Sequence, residues 1–245
     1  MSGEGTSAGI GREPTDRVAR LLGATFLVVV VTSLAGGVLL SSALGSNDGS
    51  EVLVGAAKNP DLLRAAAVLD LVTSVGIVVL AGLLFAVLAV VDRTLARIAF
   101  GLWLIEATLM VVSRLGVLSL VPLAKASGVG EPMSYQVLGE TIYEGIVRNA
   151  YSIHMLFYCA GGLLWYWLFY RSGYLPRAIP LFGLAAVILA LGGTVLQLLG
   201  ASVPIVVFLS VLPFELLIGG WLLLRGIETD ASGRLGSPAP EPRGA

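Results

Sequence analysis

The sequence predicts an all-α polytopic membrane protein, with six transmembrane helices in one bundle and both N- and C-termini cytoplasmic. Three observations carry that prediction. Apolar residues make up 56% of the 245-residue chain and charged residues only 13%, against about 25% charge in a soluble domain, and the mean hydropathy is +0.91. The apolar residues gather into six runs, each long enough for the roughly 20 residues that a bilayer crossing needs. The basic residues cluster on one side of those runs, and membrane orientation follows Lys and Arg.

Residues 1–16 are rich in Gly, Ser, Thr and Glu and have too little apolar surface to fold, so they are expected to be disordered in the cytoplasm. The first span, about 17–44, follows Arg12, Arg17 and Arg20 and ends in Ser41-Ser42-Ala43. The same features describe a signal peptide, but a signal core is only about 7 to 15 residues. The longer run favours a transmembrane helix. Ser46 to Glu51 forms a polar turn.

Pro60 opens the second span, about 60–91, at a position where its missing N–H costs nothing, and Asp61 complements the helix dipole. Only Arg64 and Asp70 interrupt it. Asp92-Arg93-Thr94 leads tightly into the third span, about 95–121, which carries Glu106 and Arg114 and is expected to stop at Pro122. Gly128, Gly130 and Pro132 break the next stretch. There Leu138, Ile142 and Ile146 recur at helical spacing, which predicts a short helix along the membrane surface.

The fourth span, about 146–170, ends in Trp165-Tyr166-Trp167-Leu168-Phe169-Tyr170, an aromatic cluster of the kind that sits at the membrane interface. After a short turn the fifth span covers about 177–200. The hairpin Ala201 to Pro204 then leads into the sixth, about 203–224, which carries Glu215. The six spans define one transmembrane domain over 17–226. The Pro- and Gly-rich tail, 227–245, is expected to be disordered and cytoplasmic.

Six spans leave both termini on one side. That side collects Arg12, Arg17, Arg20, Arg93, Arg97, Arg171, Arg177, Arg225, Arg234 and Arg243, against Lys58, Arg64, Lys125 and Arg148 on the other. The bias places the termini in the cytoplasm and the chain, as a multi-pass protein, in the cell (cytoplasmic) membrane. A single cysteine, Cys159, excludes an intrachain disulfide, and with one histidine, His154, it excludes a His/Cys metal site. The chain lacks a basic stripe interleaved with aromatics, a phosphate loop and a cofactor fingerprint. Nucleic acid, metal and cofactors are therefore not expected, and no catalytic residue is assigned. The lipid bilayer is the partner that the composition requires, while the oligomeric state is not written in the sequence.

Double glycines at Gly36-Gly37, Gly161-Gly162, Gly192-Gly193 and Gly219-Gly220 fall within four spans. Small residues let helix backbones approach closely in lipid, so these pairs predict a compact bundle. Three spans followed by three of opposite orientation permit an inverted repeat, but the two halves show no sequence match.

The turn Tyr170-Arg171-Ser172-Gly173-Tyr174-Leu175-Pro176-Arg177 with Leu181-Phe182-Gly183, and the closing pattern from Pro213-Phe214-Glu215 through Gly219-Gly220-Trp221 to Arg225-Gly226, carry a family resemblance. Asp70, the Glu106-Ala107 pair and the start Arg20-Leu21-Leu22-Gly23 add to it. On these residues the chain resembles a bacterial six-helix membrane family catalogued as domain of unknown function 4386, over nearly all of 17–226. The resemblance implies an integral membrane protein without an established activity.

Ionisable groups at membrane depth are costly unless paired or wetted, so each marks a candidate site. Asp70, ten residues after Pro60, and Arg114, eight before Pro122, both lie about 12 to 15 Å from the outer boundary at about 1.5 Å per residue. Glu106 and Glu215 are matched in the same way at about 14 to 15 Å from the inner boundary. His154 belongs to the outer half. Glu106 and Arg114 lie about 12 Å apart along one helix and about 80° apart around it, so the depths match Arg114 with Asp70 and Glu106 with Glu215.

Two readings of these groups stand side by side. In one, Asp70, Glu106, Arg114, His154 and Glu215 line an outward-opening polar pocket whose excess acid suits a proton, an amine or another small molecule. In the other, Asp70 and Arg114 form a structural ion pair, and Glu106 and Glu215 are neutral and hydrogen-bonded to neighbouring helices. Function follows as ligand or proton binding, as proton-coupled transport, or as membrane-embedded hydrolysis. The last would need a Ser113-His154-Asp70 set, for which the sequence offers no nucleophile elbow.

Overall fold

A computed structural model describes residues 12–45, 52–127 and 133–227, with side chains from Arg17 onward. The ends 1–11 and 228–245, the polar turn at 46–51 and the breakers at 128–132 lie outside the described residues. What is described is helical, and six of its helices are long and apolar enough to cross a membrane. The chain is an integral, multi-pass membrane protein.

The helices are α1 (Arg12–Leu44), α2 (Val52–Lys58), α3 (Pro60–Leu88), α4 (Arg93–Ala126), α5 (Met133–Ile142), α6 (Asn149–Ser172), α7 (Ala178–Leu198), α8 (Ile205–Leu209) and α9 (Val211–Arg225). A six-residue π-helical segment, Tyr143–Arg148, joins α5 to α6 without a break. The spanning helices close a ring in chain order: α1 packs on α3, α3 on α4, α4 on α6, α6 on α7, α7 on α9, and α9 returns to α1. Each span thus lies beside the next in sequence, as short connections demand. We call the end holding the start of α1 and the end of α9 the terminal end, and the opposite end distal.

Several boundaries differ from the sequence expectation. Pro122 does not stop the third span: α4 runs on to Ala126 with the proline inside it. A proline removes its own N–H bond and crowds the carbonyl four residues back, but Val121 and Ala124 on either side are buried in a distal apolar cluster that holds the last turn in place. The expected surface helix around Leu138 is the first part of a 40-residue rod, Met133–Ser172. At about 60 Å that rod exceeds the hydrocarbon thickness of about 30 Å, so its α5 end projects beyond the span. The sixth span breaks at Ser210 between α8 and α9, three residues before Pro213, whose absent N–H cannot bond back to Leu209. Helix α2 was not expected; the Asn59 side chain just after it donates to the carbonyl of Ala43 at 3.1 Å, satisfying a carbonyl at the end of α1.

Two apolar clusters fill the bundle. The larger occupies the terminal half and draws on every spanning helix, with Phe26, Leu84, Trp103, Trp165, Phe169, Val187 and Phe214 among its buried members. The smaller occupies the distal half and joins the end of α1, α2, the start of α3, the end of α4 and the π-helical segment. Along α3 the change from one cluster to the other falls at Asp70, Thr73 and Ser74, and along α4 at Ser113 and Arg114; all five are buried. The double glycines explain how the walls meet. A Cβ on Gly36, Gly161, Gly193 or Gly219 would collide with a neighbouring helix, whereas Gly37, Gly192 and Gly220 face open space. Successive helical residues point about 100° apart, so one glycine of each of these pairs faces a neighbour.

Candidate functional site

Helix α4 carries two polar layers. In the first, the arginine layer, Arg114 turns towards α3 and brings Nε to 2.9 Å from Asp70 Oδ2, with the two side chains only 6% and 4% exposed. The contact is ionic rather than an aligned hydrogen bond. Nε and Nη1 of Arg114 and Oδ2 of Asp70 are all buried without a hydrogen-bond partner among the described residues. Room for the carboxylate comes from α1: a Cβ on Gly36 would lie 2.4 Å from Asp70 Oδ1. Nearby, Thr73 of α3 donates to Thr32 of α1 at 2.7 Å, tying these two helices together.

The charge of Arg114 also reaches Tyr143 of the π-helical segment and Tyr151 and His154 of α6. His154 is buried, and its Nδ1 contacts the carbonyl of Tyr151. A carbonyl can only accept, so Nδ1 carries a proton. Ser113, one residue before Arg114, donates to the Val147 carbonyl at 3.1 Å. The extra residue of a π-helical turn disturbs the regular carbonyl ladder, and the serine satisfies one of its carbonyls. Gly116 lets that turn approach α4, because a Cβ there would meet Ile146 and Val147 at 2.9 and 3.0 Å.

The second layer, the glutamate layer, lies nearer the terminal end. Trp103 donates from Nε1 to the Tyr158 carbonyl at 3.2 Å, and its ring stacks on that of Tyr158 with centroids 6.1 Å apart. This fixes Tyr158 so that its hydroxyl donates to Glu215 Oε1 at 2.7 Å. Glu106, one turn along α4 from Trp103, is 3% exposed and lies within the field of Glu215. Its Oε2 has no hydrogen-bond partner among the described residues, and neither have the buried Tyr166 hydroxyl and Trp165 Nε1. Tyr166 lies within the field of Glu215, and its hydroxyl makes no aligned hydrogen bond among the described residues. Glu215 itself is half-buried.

The structure therefore brings Asp70 to Arg114, places Glu106 within the field of Glu215 and sets His154 within the field of Arg114, while Glu215 accepts from Tyr158. The distal apolar cluster lies between the arginine layer and the distal end. Ser113, His154 and Asp70 each bond a different partner, Val147, Tyr151 and Arg114. Glu144 and Arg148 form a half-exposed bridge at 2.7 Å on one helix face. Sequence reasoning missed Tyr143, Tyr151, Tyr158 and Tyr166. The available signal was spacing: Tyr151 and Tyr158 lie one turn to either side of His154.

Comparison with known proteins adds one match. A family model described as "Domain of unknown function (DUF4386)" covers residues 21–226. No curated protein and no solved structure matches the chain.

Proposed function

This chain belongs to the family described as Domain of unknown function (DUF4386), a description that assigns no activity, and we propose that its arginine layer binds a small polar molecule within the membrane. The observation that carries this is the Arg114 Nη1, buried without a hydrogen-bond partner among the described residues, beside a carboxylate that approaches Nε at 2.9 Å. A buried guanidinium with donors left over suits a ligand bearing a carboxylate, phosphate or carbonyl oxygen, because Arg presents a planar fork to such groups. With Nδ1 turned to the Tyr151 carbonyl, Nε2 of His154 is left for a ligand, as an acceptor in the neutral ring. On this reading the termini are cytoplasmic, the distal end is the outer face of a bacterial cytoplasmic membrane, and the 17–226 domain acts without metal or cofactor.

A second reading, proton-coupled transport, is favoured by two irregularities. The π-helical segment flanks the arginine layer, and the α8–α9 break lies about one turn from Glu215. Interrupted helices commonly line transport sites.

One experiment addresses both readings. The full chain in detergent is heated with acetate, glutamate or inorganic phosphate, beside a charge-neutral Asp70→Asn/Arg114→Gln double variant. At least one probe is expected to raise the unfolding temperature of the wild type and not of the variant. Equal shifts in both proteins, or no shift in the wild type, would remove the binding reading. The effective probe is then offered to proteoliposomes with and without a pH gradient. Gradient-driven uptake is expected only on the transport reading.

A further inference from the structure

We infer that Glu106 and Glu215 form a proton-binding carboxyl pair in which Glu106 holds the proton and Glu215 is the member through which it exchanges. The inference is independent of any ligand at Arg114. It begins from charge placement. Trp103, one turn from Glu106 on α4, donates to and stacks on Tyr158, whose hydroxyl donates to Glu215 on α9, so both carboxyls lie about one tyrosine ring, beside the terminal apolar cluster and within each other's field. Two carboxylates sharing an apolar site cannot both keep a negative charge unless a cation balances them. Arg114, the cation on the same helix, is engaged by Asp70 of α3. Helix α7 has no ionisable residue, and the ionisable residues of α1 all lie in its first turns, up to Arg20. From α6 the facing titratable groups are Tyr158, Cys159 and Tyr166, all neutral as proton donors.

Hydrogen bonding assigns the two roles. Glu215 Oε1 accepts from the Tyr158 hydroxyl at 2.7 Å, the arrangement that favours an ionised carboxylate. Glu106 Oε2 is buried and has no partner among the described residues, and the fully buried Tyr166 hydroxyl beside the pair has none either. A proton taken from water forms an O–H bond on Glu106, cancels one of the two charges and leaves hydroxide or buffer base in solution. The same O–H then adds a donor to the Tyr158 hydroxyl that Glu215 already accepts from. Burial differs in the same sense: Glu106 is 3% exposed, whereas Glu215 is half-buried and keeps some accessible surface. A proton needs no cavity, which suits a site packed this closely.

The test is infrared difference spectroscopy on the full chain in lipid nanodiscs, reading the C=O stretch of a protonated carboxyl and its shift in heavy water. The wild type is expected to show one such band from the pair. Glu106→Gln should abolish it, the charge-neutral Asp70→Asn/Arg114→Gln double variant should leave it in place, and Tyr158→Phe should move its frequency without removing it. Absence of the band in the wild type, or its persistence unchanged in Glu106→Gln, would overturn the inference. Should Glu106→Gln not accumulate as folded protein, Tyr158→Phe decides: an unmoved band places the proton elsewhere. Failure of every probe to bind at Arg114 would not change any of these spectra.

Discussion

The two polar layers of α4 face the same problem, an ionisable group inside a membrane bundle, and meet it in opposite ways. The arginine layer is balanced from within: Asp70 supplies the countercharge, and what remains wanting is hydrogen-bond partners for Arg114. The glutamate layer holds two groups of like sign, and its balance has to come from outside the chain, as a proton. The difference teaches that matched depth alone does not define a site. The sign of the partner decides whether a buried pair is self-sufficient or incomplete.

The largest effect expected follows from breaking the balance in the arginine layer. Arg114→Gln or Asp70→Asn alone leaves one buried charge unpaired and should cost about 3 to 5 kcal/mol of stability. The double variant should recover most of that loss. Glu106→Gln, which replaces a neutral carboxyl by an amide of the same shape, should stay within about 1 kcal/mol of the wild type. Reversible unfolding in mixed micelles measures all four. Comparable losses for Glu106→Gln and Arg114→Gln would erase the distinction between the layers.

A smaller effect compares one hydroxyl from each layer. Tyr158→Phe keeps the ring stacked on Trp103 and removes only the bond to Glu215. With an ionised acceptor the loss should be about 1.5 to 3 kcal/mol. Ser113→Ala removes a bond to a neutral carbonyl and should cost about 1 kcal/mol. If the two losses are equal, Glu215 is not the charged member of its pair.

How much of this was legible in the sequence depended on whether the determinant was local. The spans were readable because hydropathy and length are properties of consecutive residues, and the Asp70–Arg114 and Glu106–Glu215 matches were readable because depth follows from counting along a helix. Rotation about the helix axis was not readable. Which of Gly36 and Gly37 faces α3, and that Tyr158 rather than His154 serves Glu215, depend on how the helices turn against each other. The continuation of α4 past Pro122 was hidden for a similar reason. A proline's local penalty is visible in the sequence, while the burial of Val121 and Ala124 that outweighs it comes from a cluster shared with α2, α3 and the π-helical segment. Helix α2 is held by Leu53 against Gly139 and by Gly55 against Ala43 and Leu44, contacts distant in sequence and silent there.

The smallest effect expected concerns that rotation, at two adjacent residues of α1. Gly→Ala gains about 0.5 to 1 kcal/mol of helix propensity at a position with room, so Gly37→Ala, whose Cβ meets nothing within 4 Å, should be neutral or slightly stabilising. Gly36→Ala places its Cβ 2.4 Å from Asp70 Oδ1. The carboxylate is the free end of a side chain and can shift, so the strain should fall near the low end of overpacking, about 1 kcal/mol. That shift moves Asp70 against Arg114, and the penalty is therefore transmitted through the ion pair rather than through the backbone. In the Asp70→Ala/Arg114→Gln background the carboxylate is gone, and the two alanine substitutions should become equivalent. A difference that survives in that background would mean that Gly36 is needed for helix contact alone, and that the arginine layer does not depend on the close approach of α1.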